Sequence, residues 1–250
     1  MFTIVRRILY FFVPFTAVFL LVHEQFETAI SRTTLNGLSG FYSADGIIFG
    51  LIVAFVIQRE WEMWVNLSES VRAEIDAIRE MWKWSVHAES SLCEKAHLHL
   101  ENYLSLIVAE WDAGHVNKRS GEVDAELDGL RGILAGMSLS AGALSLQLQS
   151  AFTNLTQARD LRLNYSNEHM PKILKRIVIF ADILLIILSL FLAVNNIYID
   201  YIFTAAISLL AFALILVVDD LDNPFRPGAW HLTTDGYKTL LNELTHSTHD

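Results

Sequence analysis

The chain has 250 residues, of which 53% are hydrophobic and only 18% are charged. This balance excludes a disordered chain, and a mean hydropathy of +0.37 is typical of a membrane protein. The single cysteine, Cys93, excludes an intrachain disulfide framework. The net charge of −10 argues against nucleic acid as a partner, because both molecules would then be negatively charged.

Four apolar stretches predict four transmembrane helices, since a helix needs about 20 mostly apolar residues to cross a bilayer. The stretches cover residues 8–22, 38–57, 177–199 and 201–218. The first is short and contains Pro14, which favours a tilt or a kink. The short NNIYID sequence between the last two predicts an antiparallel hairpin.

Basic residues predict the orientation of these helices. They flank the stretches on one side: Arg6, Arg7, Arg59, Lys172, Lys175, Arg176 and Arg226. The loop over residues 23–37 has only Arg32. Because cytoplasmic flanks are enriched in Lys and Arg, we expect a multi-pass membrane protein with both termini in the cytoplasm.

The segment between the second and third stretches predicts a helical cytoplasmic insert. Apolar residues continue at helical spacing beyond the membrane, and residues 46–84 are predicted to form one nearly continuous helix. Shorter helices are expected over residues 91–113, 122–134 and 144–163, with a turn at 164–171. The fold class is therefore an all-α membrane protein. Its predicted parts are transmembrane helices one and two (1–57), the cytoplasmic domain (58–172), a transmembrane hairpin (173–219) and a cytoplasmic tail (220–250).

No catalytic motif is present: the sequence has no glycine-rich phosphate loop, GxSxG, HExxH or CxxC. We expect neither an enzyme nor a cofactor. Glu94, His97 and Glu101 share one helix face and would suit a metal ion if a second helix added ligands, although exposed polar residues give the same pattern. His246 and His249 lie in a tail that is expected to fray.

Asp182 is the only charged residue in the third apolar stretch. A carboxylate inside a membrane costs free energy, so Asp182 is expected either to face protein or a water path, or to lie at the interface. In the second case its partner would be Lys175 or Arg176. The residues leave both alternatives open.

An acidic run ends the fourth apolar stretch, in the string VVDDLDNPFRPG at 217–228. The candidate site residues of this cytoplasmic turn are Asp219, Asp220, Asp222, Asn223, Pro224 and Phe225. Carboxylates are unfavourable at a helix C-terminus unless something offsets them, which predicts a specific structural contact. A hard cation such as Ca²⁺ is the alternative, so whether the turn binds a metal stays open.

Several strings resemble those of a known family. These are GLIVAFVIQREWEMW at 50–64, NYLSLIVAEW at 102–111, LTQARDLRLNYSNEHMP at 155–171 and DLDNPF at 220–225. Together with the two-plus-two arrangement of apolar stretches, they resemble the bestrophin-like family of bacterial membrane proteins of unknown function. That family is distantly similar to the bestrophin anion channels.

The resemblance implies a homo-oligomer in the lipid bilayer of the bacterial inner membrane, pentameric in bestrophins. It also implies that the second helix lines a central pore for small ions. The constricting positions of the pore neck would be Ser43, Ile47 and Leu51, of which Ser43 departs from the apolar pattern. The bestrophin calcium clasp has acids after the Asn-Pro-Phe turn, where this chain has Arg226, Pro227 and Gly228. Calcium gating is therefore not implied.

Two functions follow as hypotheses. The first is a passive ion channel, and the resemblance implies that the ions are anions. The negative charge of the insert argues against anions, because residues 59–172 carry 11 basic and 17 acidic residues, a net charge of −6. The alternative is a nonconducting membrane scaffold whose cytoplasmic helical domain binds a protein partner. In that case tryptophans would pack between subunits or against the partner: Trp61, Trp64, Trp82 and Trp84.

Overall fold

The computed structural model describes residues 2–26, 32–137, 142–191 and 196–247. All regular structure in these residues is α-helical, which confirms the all-α fold class. The helices are α1 (Phe2–Phe26), α2 (Arg32–Ser85), α3 (Ser90–Asp112), α4 (Gly121–Gly136), α5 (Gly142–Asn167), α6 (Lys172–Leu190), α7 (Ile197–Leu221) and α8 (Asp235–Ser247).

Helix α2 is a single element of 54 residues. At 1.5 Å per residue it is about 80 Å long. No proline lies within it, so nothing in its backbone forces a break. The predicted continuous helix over 46–84 is confirmed, and the helix begins earlier than expected.

Two boundaries predicted from the sequence are wrong. The turn expected from residue 164 begins only after Asn167, because α5 continues one turn further. The third apolar stretch was expected to run to residue 199, but α7 already begins at Ile197. The side chain of Asn196 starts this helix by accepting a hydrogen bond from the backbone N–H of Tyr198 at 3.0 Å. Residue 195, which begins the predicted NNIYID connection, lies outside the described residues.

The expectation of a frayed C-terminal tail is also wrong. Helix α8 buries Tyr237, Leu240 and Leu244, which recur at the spacing of one helix face. These three side chains are 0–3% exposed, so packing fixes the helix. His249 lies outside the described residues.

The chain divides into two compact units. Unit 1 comprises residues 1–62 and 169–231, and unit 2 comprises residues 63–168 and 232–250. The buried cluster of unit 1 draws on α2, α6, α7 and the residue before α6: Phe49, Val53, Val56, Met170, Val178, Leu185, Ala211 and Val218.

Unit 2 has an apolar core that encloses an ion pair. Leu100, Leu104 and Leu155 are fully buried in it. Arg162 Nε donates to Glu74 Oε2 at 2.5 Å, and Arg162 Nη1 donates to the Val116 carbonyl at 2.9 Å. The buried hydroxyl of Tyr103 donates to the other Glu74 oxygen at 2.5 Å. Burial and the Glu74 carboxylate raise the pKa of Tyr103 well above its usual value, so this network keeps its protons at physiological pH.

Candidate functional site

The predicted neck residues lie on one exposed face of α2. Ser43, Ile47 and Leu51 are spaced by four residues, and Phe55 continues the row. Ile47 is 65% exposed, Leu51 58% and Phe55 76%, although all three are large and apolar. Ser43 satisfies its hydroxyl locally by donating to the Ser39 carbonyl at 2.9 Å. Within its own chain, this face of α2 is therefore left uncovered.

Two helices of the described residues are long and apolar enough to cross a membrane. They are the Leu38–Ser85 part of α2 and the whole of α7, whereas the apolar segment Tyr10–Glu24 is shorter. Only 17% of the most apolar window of α2 is buried within the chain. Helix α6 does not qualify, and in its 19 residues it carries Lys175, Arg176 and Asp182 among its charges. The sequence-based count of four spans therefore exceeds the number identified by length and composition.

The acidic turn after α7 is held by Lys175 of α6. Its Nζ atom lies 2.8 Å from Asp219 Oδ1 and 3.1 Å from Asp222 Oδ2. The Oδ1 atom of Asp222 also accepts from the Met170 backbone N–H at 2.9 Å. A cation thus offsets the two carboxylates at the C-terminal end of the helix.

The third carboxylate of the turn binds backbone. Asp220 Oδ2 accepts from the Ala229 N–H at 2.7 Å, and a Cβ atom at Gly228 would clash with Asp220 Oδ1. Only glycine fits this close approach. Asn223 donates to the Asp219 carbonyl at 2.9 Å, and Pro224 and Phe225 are half-buried beside it. All three carboxylates of the turn therefore have protein partners.

Glu60 lies near this turn and was not singled out from the sequence. It is 2% exposed, and its Oε1 atom has no hydrogen-bond partner among the described residues. Burial raises its pKa above the usual value, and the negative charge of Asp222 raises it further. His169 lies 3.8 Å from the Asp222 carboxylate. The only signal in the sequence was the position of Glu60, three residues after the second apolar stretch.

The face with Glu94, His97 and Glu101 does not form the expected ligand set. These residues line an open cavity of about 490 Å³, where His97 Nε2 lies 3.8 Å from Cys93 Sγ. Burial lowers the pKa of His97 and raises that of Cys93, so both favour the neutral form. Within the described parts of the chain, no group of three or more His, Cys, Asp or Glu side chains is arranged to hold a metal ion.

Asp182 is buried in α6 at 6% exposure. The expected pairing with Lys175 is wrong, since the Lys175 ammonium group bonds to Asp219 and Asp222 instead. Arg176 lies on the exposed surface of α6. The interior alternative for Asp182 is therefore the one that the structure supports.

Comparison with known proteins places the chain in a recognised group. Its sequence matches the model of the bestrophin-like domain over residues 10–229. The fold is similar to a variant of a bacterial bestrophin homologue from Klebsiella pneumoniae, with a TM-score of 0.79 and 13% identity, covering 98% of this chain and 100% of that one. A second variant of that homologue gives a TM-score of 0.77 and 14% identity, covering 99% and 100%.

A further solved structure, described as a variant of a membrane protein, gives a TM-score of 0.78 and 13% identity and covers 99% of both chains. No curated protein matches the sequence. At these identities the structural matches establish a shared fold.

Proposed function

Since this chain belongs to the bestrophin-like family, we propose that it is a homo-oligomeric membrane protein that passively conducts small ions. The pore is lined by α2, with its neck at Ser43, Ile47 and Leu51. A pentamer is the expected assembly by resemblance to bestrophins. The role is transport and not catalysis.

The uncovered apolar face of α2 is the observation that supports this proposal. Ile47, Leu51 and Phe55 lie in a row along the helix, and each is more than half exposed in the single chain. A row of large apolar side chains is unfavourable in water, so lipid or other copies of the chain must cover it. Around a symmetry axis, Ile47 and Leu51 form two rings one helical turn apart. Such a constriction resists ions by resisting water entry.

The proposed topology has four membrane-crossing helices: α1, the first part of α2, α6 and α7. Residues 1–57 and 173–219 form the membrane part, and residues 58–172 and 220–250 lie in the cytoplasm. The basic residues of α6 support this arrangement. Lys172, Lys175 and Arg176 all lie in its first five residues, at the end that the positive-inside rule assigns to the cytoplasm.

Cysteine labelling of intact cells tests the topology. In a Cys93→Ser background, Ser31→Cys should react with an impermeant maleimide, whereas Ser120→Cys should react only after the membrane is opened. The reverse pattern would overturn the proposed orientation. Labelling of both sites in intact cells would argue against a cytoplasmic insert.

Ion flux in liposomes tests the neck. The double variant Ile47→Ala/Leu51→Ala widens the constriction, so reconstituted protein should pass chloride or another small ion severalfold faster than the parent. The matched control is Ile202→Ala/Leu210→Ala, which removes the same two side-chain types at similar exposure (65% and 62%) from α7 and leaves α2 unchanged. Flux through the control should equal that of the parent.

Two results would contradict the channel. Unchanged flux through an intact Ile47→Ala/Leu51→Ala oligomer would remove the neck assignment. Equal increases in both double variants would indicate leakage from lost packing. Oligomer size measured before and after reconstitution separates both results from disassembly.

A nonconducting scaffold is the second candidate, and one surface favours it. The end of α2 and the residues just after it line an open cavity of about 460 Å³. The lining side chains are acidic, basic and aromatic: Asp76, Arg79, Glu80, Lys83, Trp84 and His87. Trp84 with Arg79 nearby suits a protein partner, because aromatic residues and arginine are enriched at protein interfaces. Against this, Trp61 packs on Trp230 and Trp82 on His97 within the chain. In the scaffold, Ile47→Ala/Leu51→Ala would lower oligomer stability and open no path.

A further inference from the structure

Asp182 is a buried carboxylate among apolar side chains of unit 1. It lies on α6 between Val178 and Leu185, both of which belong to the buried apolar cluster. Its Oδ1 atom is inaccessible and has no hydrogen-bond partner among the described residues. Isolated buried charges are among the most costly groups in a protein, and inside a membrane they usually mark a functional site.

The alignment of α6 with α7 shows which residues of α7 lie at the same height along the helix axis as Asp182. Thr204 Oγ1 of α7 donates to the Ser189 carbonyl of α6 at 3.4 Å. Because α6 and α7 run antiparallel, moving seven residues back from Ser189 to Asp182 corresponds to moving seven forward from Thr204 to Ala211. Ser208 is then about 5 Å from that level along the axis, at 1.5 Å per residue. It is fully buried, and its hydroxyl has no partner among the described residues.

The charged groups of α7 and α1 lie towards the two ends of the bundle. By the same register, Asp200 of α7 is about 16 Å from the level of Asp182, and Asp219 is about 12 Å away in the other direction. Asp219 already binds Lys175. On α1, His23 lies 4.0 Å from Asp200 and therefore belongs to the far end.

Helix α2 contributes a carboxylate nearby. A Cβ atom at Gly46 would contact Leu185, one turn from Asp182, at 3.6 Å. Asp45 precedes Gly46 and has one buried oxygen without a partner among the described residues. Glu60 is 14 residues further along this helix. Tyr42 lies one helical turn before Asp45 and packs against the same apolar cluster. The titratable groups that α2 brings to this region are therefore an acid and a phenol, and neither supplies a positive charge to Asp182.

We propose that Asp182 is an intramembrane proton-binding site whose carboxyl group carries a proton at neutral pH. The neutral acid removes most of the cost of burial, and Ser208 supplies a buried hydroxyl about one helical turn away. The ligand is a proton and not a metal ion, because one hydroxyl beside the carboxyl group falls short of the six or more oxygens that hard cations take. The inference rests on the membrane placement proposed above and is independent of conduction.

Carbodiimide labelling tests the site. N,N′-dicyclohexylcarbodiimide is apolar and modifies carboxyl groups that are protonated in apolar surroundings. In membranes containing the parent protein at pH 7, we expect its adduct on the α6 peptide by mass spectrometry. Asp182→Asn should lose this adduct. Asp45→Asn, which changes the half-buried acid that α2 brings to the same region, should keep it.

The salt dependence of labelling separates the proton from a metal cation. Labelling of Asp182 should rise as the pH is lowered and should be equal in sodium chloride and choline chloride. Protection by sodium would overturn the proton site in favour of a cation site. No adduct at Asp182 in an intact parent oligomer at any pH down to 5 would show that the carboxyl group is ionised, and would overturn the proposal.

Stability supplies a second readout. Asparagine resembles the protonated acid in size and neutrality, so Asp182→Asn should melt within a few degrees of the parent at pH 7. At alkaline pH the melting temperature of the parent should fall, and that of Asp182→Asn should not. A large drop at pH 7 would indicate an ionised, partnered carboxylate and would contradict the site. Maleimide labelling at Ser31→Cys and ion flux report separately on topology and conduction, so failure of either is distinguishable from failure of the proton site.

Discussion

The two units differ in how many large apolar side chains they leave exposed. Most of the exposed ones among the described residues lie in unit 1, whereas unit 2 has Val86, Leu98, Leu146 and Leu161. In unit 2, Leu100, Leu130 and Leu155 are completely buried by the chain itself. In unit 1, Phe55 is 76% exposed and Leu210 62% exposed. Unit 2 follows the rule for a protein in water, whereas unit 1 relies on lipid or on further copies of the chain to cover its surface.

The units differ equally in how they treat buried charge. Unit 2 joins its buried Arg162 and Glu74 in one network with several hydrogen bonds. Unit 1 leaves single oxygens of Glu60 and Asp182 buried and unpartnered within the described residues. A buried pair contributes to structure, while a buried single carboxylate must change its protonation state to be tolerated. Stability should therefore depend on ion pairing in unit 2 and on pH in unit 1.

Breaking the buried pair of unit 2 should have the largest effect. Arg162→Met leaves Glu74 and Tyr103 buried without the guanidinium group, and should lower the free energy of unfolding by about 3–5 kcal/mol. Arg131→Met is the matched control, because Arg131 pairs with Asp128 at the surface, where loss should cost less than about 1 kcal/mol. Denaturant unfolding followed by circular dichroism measures both. Equal effects in the two variants would contradict the distinction.

Interrupting α2 should come next. Val65→Pro removes one backbone hydrogen bond and introduces a clash in the helix interior, at a cost of about 3 kcal/mol or more. Val65→Ala keeps the backbone intact and reports the side-chain loss alone. We expect the proline variant to lose its oligomer on size-exclusion chromatography while the alanine variant retains it. An unchanged oligomer and melting profile in Val65→Pro would indicate that the helix is not required to be continuous.

Replacing a glycine by alanine should change stability in opposite directions in a tight turn of unit 1 and on an open helix surface of unit 2. Gly228→Ala places Cβ against the Asp220 carboxylate and should destabilise the turn by about 1–3 kcal/mol. A Cβ atom at Gly132 in α4 meets nothing within 4 Å. Gly132→Ala should therefore stabilise by about 0.5–1 kcal/mol. Thermal melting gives the sign of each change, and a loss in both would argue against the open surface at Gly132.

The smallest expected effect is the pH dependence due to Glu60. Its pKa is raised by burial and by Asp222, so the folded protein binds this proton more tightly than the unfolded chain does. The resulting stability is fully present below the usual glutamate range, about 4.3, and is lost as the pH rises through the folded value. The melting temperature should therefore fall as the pH rises through this range, and Glu60→Gln should make that fall smaller. A parallel decline in both proteins would show that Glu60 is ionised in the folded state.

The sequence predicted what depends on periodicity. The continuous part of α2 and the helices of unit 2 follow from apolar residues at helical spacing, and the exposed row through Ile47 and Leu51 follows from the resemblance. Helix α8 was missed, because its apolar positions are few and terminal segments usually fray. Its order comes from burial of Tyr237 against the rest of unit 2, including Trp111.

Side-chain pairing could not be predicted from local sequence. Lys175 was offered as a partner for Asp182, seven residues away, but it binds Asp219 and Asp222 more than forty residues away in the chain. The choice depends on the register between α6 and α7, and moving Lys175 by one residue would turn it about 100° around the helix. The burial of Glu60 likewise depends on packing that no single helix encodes.

The discontinuous path of the chain through unit 2 affects how the protein is made. Residues 63–168 emerge from the ribosome first, but Tyr237, Leu240 and Leu244 complete their core only after α6 and α7 have been synthesised. Until then, an apolar groove on the nascent chain is open to chaperones and proteases. A chain that stops before residue 232 lacks these three side chains, so we expect it to leave part of the apolar core of unit 2 exposed.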